Sequence, residues 1–219
     1  MRTEAPPTQA APPRRPGERW RRVLRTVGIL CILGSLAIGA NLAWQLWGTG
    51  YVVTRRAQAD LRQELAPRIG TGDPAQADTS VRVPGRGIAI LRIPAIDLDV
   101  VVVEGTDPAS LAKGPGHYVD TAYPWQDEGR VGIAGHRTTY GAPFWSLERL
   151  RPGDGIELAT EYGTFTYRVT RTAITAPDGL LRNGRSVLAQ TREPTLVLTT
   201  CHPRFSAAQR LIVFAARIP

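Results

Sequence analysis

The sequence predicts an all-β domain, a barrel or sandwich of seven or eight short strands, preceded by one N-terminal transmembrane helix. Short, β-branched apolar runs fall at 88–93, 98–103, 131–134, 156–158, 164–169, 195–199 and 211–215. Turn-forming clusters separate them, including GTDP at 105–108, RPGDG at 151–155 and EYG at 161–163, a spacing that favours a barrel or sandwich. Ahead of these lies VGILCILGSLAIGANLAWQLW, residues 27–47, with no charged residue. Within 85–219 helical periodicity is weak, with short helices expected only near 108–112 and 143–150.

The chain has 219 residues with 22 Gly and 18 Pro, which suits one compact domain with appendages better than two full domains. A formal charge of +8 raises nucleic acid as a partner, but the arginines gather at the N-terminus and are otherwise scattered. No nucleic-acid partner is expected.

In chain order, residues 1–26 combine Pro, Ala and Arg with almost no apolar clustering. Such a segment buries too little surface to offset its ordering, and is expected to be a disordered cytoplasmic tail. Residues 27–47 are long enough, at about 1.5 Å per residue, to cross a hydrocarbon core of about 30 Å. Trp20 on one side and Trp44 and Trp47 on the other stand where interfacial aromatics belong. Arg14, Arg15, Arg19, Arg21, Arg22 and Arg25 precede the span, and residues 48–54 carry no charge. The positive-inside rule therefore keeps the N-terminus cytoplasmic and the rest of the chain outside the cell membrane. A cleaved signal peptide is the rival reading, since Ala40 and Ala43 offer small residues; the long charged leader and long apolar run favour an uncleaved anchor. Residues 48–84 are expected to supply a polar juxtamembrane helix, ended at Pro67, and then a flexible linker rich in Gly, Pro and polar residues. The folded domain is placed at 85–219.

Chemistry concentrates on VLTTCH, residues 197–202, an apolar strand ending on Cys201. Cys31 lies within the apolar span, so a disulfide with Cys201 is not expected. A thiol attacks as thiolate, and with a free pKa of about 8.5 it needs a cationic or basic neighbour. Three histidines are available. His202 is adjacent, and adjacent strand residues point to opposite faces. His136 closes VGIAGH, a strand ending in a reactive residue much as the Cys201 strand does. His117 lies in KGPGHY, a loop in which a solvated or turn-stabilising role is expected. Arg210 opens the last strand; if that strand pairs antiparallel with the one bearing Cys201, its guanidinium comes to the same end and can steady an oxyanion.

The stretch AGHRTTYGAPF at 134–144, with LTTC at 198–201 and Arg210, resembles the catalytic core of sortases. TCHPRFSAAQRL, residues 200–211, is most similar to class E sortases of actinobacteria. The resemblance covers 85–219 and implies a closed eight-stranded β-barrel and a cysteine transpeptidase. By that likeness Cys201 attacks the threonine carbonyl of an LPxTG/LAxTG-like sorting signal, His136 serves as general acid and base, and Arg210 steadies the oxyanion. The partners implied are secreted proteins with C-terminal sorting signals and an amine on a peptidoglycan precursor. Thr200, Tyr118 and Tyr123 are the substrate-binding candidates, the tyrosines because class E enzymes favour LAxTG through a tyrosine near the groove. Residues 176–194 are expected to help form that groove. Val197 replaces the family's usual threonine, and PWQDEGR at 124–130 departs from its usual loop.

Asp97, Asp99 and Glu104 alternate with apolar residues, as on a solvated strand face, so no calcium cluster is expected. No metal spacing or phosphate-cradling loop is present, and no cofactor is expected. Two other classes remain: another extracytoplasmic Cys/His cell-wall enzyme, a hydrolase or L,D-transpeptidase, and a non-catalytic, membrane-tethered β-barrel binding module.

Overall fold

The computed structural model describes residues 17–181 and 183–219. The chain divides into two compact units, Met1–Leu42 and Ala43–Pro219. In the first, helix α1 (Glu18–Ala43) already includes the last residues assigned above to a tail, while residues 1–16 lie outside the described residues. Its segment from Arg19 to Ala43 is long and apolar enough to cross a membrane. Leu30, Ile32, Leu36 and Ile38 are exposed within the chain, whereas a soluble core helix would bury such side chains. The Ser35 hydroxyl donates to the Cys31 carbonyl at 2.8 Å, the internal satisfaction that a polar group in lipid requires.

The second unit is a closed barrel of eight strands: β1 (Gly87–Ile93), β2 (Leu98–Glu104), β3 (Gly116–His117), β4 (Arg130–Ala134), β5 (Gly155–Thr160), β6 (Gly163–Thr175), β7 (Thr195–His202) and β8 (Gln209–Arg217). They close in the order β1-β2-β3-β4-β7-β8-β6-β5. Seven follow the apolar runs of the sequence. The eighth, β3, is two residues within the Gly-Pro-Gly-His loop, held by parallel pairing to β2 and antiparallel pairing to β4.

Alternation along the strands assigns the two faces. Leu91, Val100, Val102, Ile133, Leu196, Leu198 and Val213 point inward into the main core. Their neighbours Ile90, Val101, Val103, Val197, Ile212 and Phe214 are also buried, in two outer clusters. That two-sided burial explains why Val100–Val103 and Leu196–Leu198 read as continuous apolar runs rather than alternating ones.

One outer cluster is covered by α2 (Arg55–Leu65), which follows a π-helical stretch, Trp44–Thr54. Leu61 and Leu65, one turn apart, pack on Ile90, Val101 and Val103. An isolated 11-residue helix is marginal in water, and burying each leucine contributes about 1.5–3 kcal/mol. The Gln58 side chain adds two-way bonding, accepting from Val101 N at 2.7 Å and donating to Val101 O at 3.0 Å. The segment expected as a free linker is tied down as well: Gly70 N donates to Thr160 O, Gly72 N to Glu161 O, and Gly85 N to Glu104 O. The second outer cluster is covered by residues 176–194, through Val187, Leu181 and Leu188.

Between β2 and β4 the short helix α3 (Pro108–Lys113) is capped by Asp107, whose carboxylate accepts from Ala109 N and Ser110 N, each at 3.0 Å. Two expectations are corrected beside it. His117 is fully buried, its Nδ1 lying 3.1 Å from Glu104 Oε1 and its Nε2 3.0 Å from the Ala122 carbonyl. Glu104, expected on a solvated face, is 2% exposed. A buried carboxylate is tolerated because a partner and hydrogen bonds offset its desolvation.

Candidate active site

Strands β4 and β7 run parallel, with Val131 beside Leu196, Ile133 beside Leu198 and Ala134 beside Thr199. Gly135 N donates to Thr199 O at 3.0 Å, which carries the pairing one residue past β4. Extending the register once more sets His136 beside Cys201. On its other side β7 is antiparallel to β8, and Cys201 is paired directly with Arg210. Ile133 and Leu198 point inward, so alternation directs His136, Cys201 and Arg210 to the outer face at one end of the barrel. His202 falls on the opposite parity, and its Nδ1 is buried without a hydrogen-bond partner.

Local sequence explains the presentation of His136. A Cβ on Gly135 would lie 2.5 Å from Phe144 Cδ2, so only glycine lets the Phe144 ring press against the strand end. The chain then turns through Tyr140, Gly141 and Ala142, all with positive φ (50°, 74° and 46°), and Phe144 N donates back to His136 O at 3.1 Å. Two non-glycine residues in the left-handed region are a local strain of the kind found at functional loops. The His136 ring lies 4.8 Å from the Tyr140 ring, and Thr139 Oγ1 is 3.2 Å from its Nδ1. Burial holds the His136 imidazole below the usual histidine range.

Arg210 Nη1 donates to Ala207 O and Gln209 O, each at 2.9 Å, which fixes the guanidinium plane. Among the described residues no carboxylate pairs with it. Cys201 is half-buried and free, as an accessible nucleophile must be.

The three proposed substrate contacts occupy different places. Tyr118 stands on the outer face above β4 and β7, its hydroxyl 2.9 Å from Thr199 Oγ1 and its ring against Gly132. Tyr123 is 4% exposed and stacked between His117 and Trp125, with ring centroids 4.6 Å apart on each side. Burial first, and the Glu104 carboxylate second, push its hydroxyl well above the usual tyrosine range. Thr200 is 3% exposed, pointing inward, and donates to Gly135 O at 2.7 Å. It ties the Cys201 strand to the His136 turn and faces no groove.

Sequence reasoning missed a supporting ion pair. Arg137, 4% exposed, pairs with Glu148 at 2.6 Å, and its Nη1 approaches Cys201 O at 3.5 Å. Arg204 pairs with the same Glu148 and stacks over Trp145 at 4.3 Å. Glu148 thus joins the loop after His136 to the turn after Cys201. The signal available was Glu148 itself, an acid set between Arg137 and Arg204.

A half-exposed thiol, a half-buried imidazole and an anchored guanidinium on one rim of a closed β-barrel suit a thiol-dependent acyl-transfer enzyme. The family model described as Sortase domain matches residues 91–218, and the chain belongs to the sortase family of cysteine transpeptidases. Sortase D of Bacillus subtilis is 37% identical over 161 residues, covering 71% of this chain and 77% of that protein. Sortase SrtE1 of Streptomyces coelicolor is 30% identical over 212 residues, covering 89% of this chain and 57% of that protein. Among solved structures, sortase E from Streptomyces avermitilis matches with a TM-score of 0.53 and 34% identity, over 63% of this chain and 91% of that one. The Clostridium perfringens Sortase D5 transpeptidase matches with a TM-score of 0.61 and 26% identity, over 76% and 99% of the respective chains. These relatives support the class E likeness read from residues 200–211 and add a likeness to class D.

Proposed function

We propose that this sortase is a single-pass membrane enzyme, N-terminus cytoplasmic and barrel extracellular, that cleaves an LPxTG/LAxTG-like sorting signal after threonine. The observation that carries the reading is the pairing of Arg210 with Cys201, together with the β4–β7 register, which, continued two residues past Ala134 and Thr199, brings His136 to the other side of Cys201 on the same face. Cys201 Sγ attacks the threonine carbonyl carbon while His136 accepts the thiol proton. The tetrahedral oxyanion develops beside Arg210, whose fixed plane favours it over the flat ground state. Collapse breaks the threonine–glycine amide, and His136 returns the proton to the departing amine, leaving a thioacyl group on Cys201. An amine of a cell-wall precursor then attacks that carbonyl, giving its proton to His136 and releasing the thiol. Of the candidate contacts, Tyr118 is the one on the face that the signal would follow, and Thr200 acts as a positioning residue.

The test uses the full-length chain in detergent with LPxTG and LAxTG peptides, with and without an amine. An acyl adduct on Cys201, seen by intact mass and consumed when amine is added, is the expected result; no adduct with any peptide sinks the reading.

Burial of His136 has a consequence for pH. Because its imidazole is held below the ordinary value of about 6.5, the neutral base persists into more acidic solution. The acid limb of kcat/KM is therefore expected below about pH 6.5. A limb at or above that value in a pH–rate profile would contradict the assignment of His136 as base.

A further inference from the structure

On the far part of the same outer face, three arginines meet. Arg130 starts β4, Arg171 lies on β6, and Arg185 belongs to the segment covering the barrel between β6 and β7. Phe214 on β8 is their floor: the Arg171 guanidinium lies 3.6 Å from its ring centroid and that of Arg130 lies 5.8 Å away. A cavity of about 230 Å³ opens among them, with Ser186, Gln190 and Thr191 on its walls. Arg130 is held by its own bonds, Nε to Thr195 Oγ1 at 3.2 Å and Nη1 to Val187 O at 2.8 Å. Burial, and next the charges of Arg171 and Arg185, pull its pKa down. Among the described residues, no carboxylate forms an ion pair with any of the three. Like charges held together around a cavity cost free energy that an anion would recover.

We propose that this cavity receives an acidic side chain of the protein being sorted, about six residues ahead of the scissile threonine. The proposal rests on the transpeptidase reading. His136 and Arg130 are separated by six positions, 136 − 130, along the outer row of β4, about 20 Å at roughly 3.3 Å per residue. An extended peptide whose threonine carbonyl lies at Cys201 spans the same distance in about six residues. The contact belongs on the N-terminal side of the signal because that part stays on the enzyme as the acyl group through both half-reactions, whereas the other part departs. The covering segment links the two places: Leu188 lies against Gly132, where Tyr118 also packs, and Gln190 borders the arginines.

The experiment compares two peptides carrying one sorting signal, preceded five to seven residues upstream by Asp and Glu in one and by Asn and Gln in the other. With the full-length chain at low salt, kcat/KM should favour the acidic peptide by about five-fold, the scale of one or two exposed ion pairs. The advantage should shrink at about 0.5 M NaCl, where screening shortens the reach of charge. In the Arg171→Gln/Arg185→Gln variant, with fold checked by circular dichroism, the ratio should fall to about one. Equal cleavage of the two peptides by the unmodified chain overturns the proposal, as does a preference that survives in the variant. So does an equal gain from acidic residues moved past the scissile bond. If inorganic phosphate raises the thermal midpoint through these arginines while the peptides are cleaved equally, the cavity serves a free anion and the assignment to substrate fails. Anisotropy measurements of both peptides on Cys201→Ala read the same preference without turnover. A failure of the cleavage chemistry is thereby told apart from a failure of this site.

Discussion

Replacing Cys201 with alanine is expected to abolish acyl-enzyme formation and lower peptide cleavage by about 10⁴-fold or more, the scale at which a covalent nucleophile is lost. The side chain is half-exposed at the end of β7, so truncation leaves no large core void, and stability should change by about 0.5 kcal/mol or less. Intact-mass trapping and a thermal melt on the same preparation check both halves. Retained turnover with no adduct would mean that His136 activates water directly and that the thiol is a bystander.

Arg210→Ala should cost about 10²–10³-fold in kcat, as removal of one oxyanion donor does elsewhere. The argument is geometric. Arg210 is the cross-strand partner of Cys201, and its Nη1 is committed to two backbone carbonyls, so the remaining donors are aimed before substrate arrives. Lysine keeps the charge and loses the planar fork, and Arg210→Lys should fall between alanine and the unmodified chain. Single-turnover kinetics separate the roles: a fall in kcat marks transition-state stabilisation, whereas a rise in KM alone would make Arg210 a binding residue.

The strands were legible because β-branched runs between Gly and Pro turns declare them, and two-sided burial explains the runs that do not alternate. The candidate grouping follows from the same reasoning, since strand ends and parity bring Cys201 towards His136 and away from His202. What escaped the sequence depends on partners distant along the chain. Glu104 looks solvated by its own pattern, because its partner His117, whose Nδ1 lies 3.1 Å from its carboxyl oxygen, lies on a strand only two residues long. The segment after α2 looks free because its attachment runs through backbone groups of Gly70, Gly72 and Gly85, which no side-chain pattern announces. Arg137 and Glu148 are ordinary surface types by composition, and only the fold sets them beneath the rim.

The closed strand order has a bearing on how a sorting signal is told from other peptides. An open sheet offers a row of unpaired backbone groups that welcomes any extended segment by strand addition. A barrel closed through all eight strands leaves much less such edge, so side-chain contacts carry more of the reading of a visiting peptide. If sorting signals are what this barrel receives, its closure also keeps it from becoming a template for their strands.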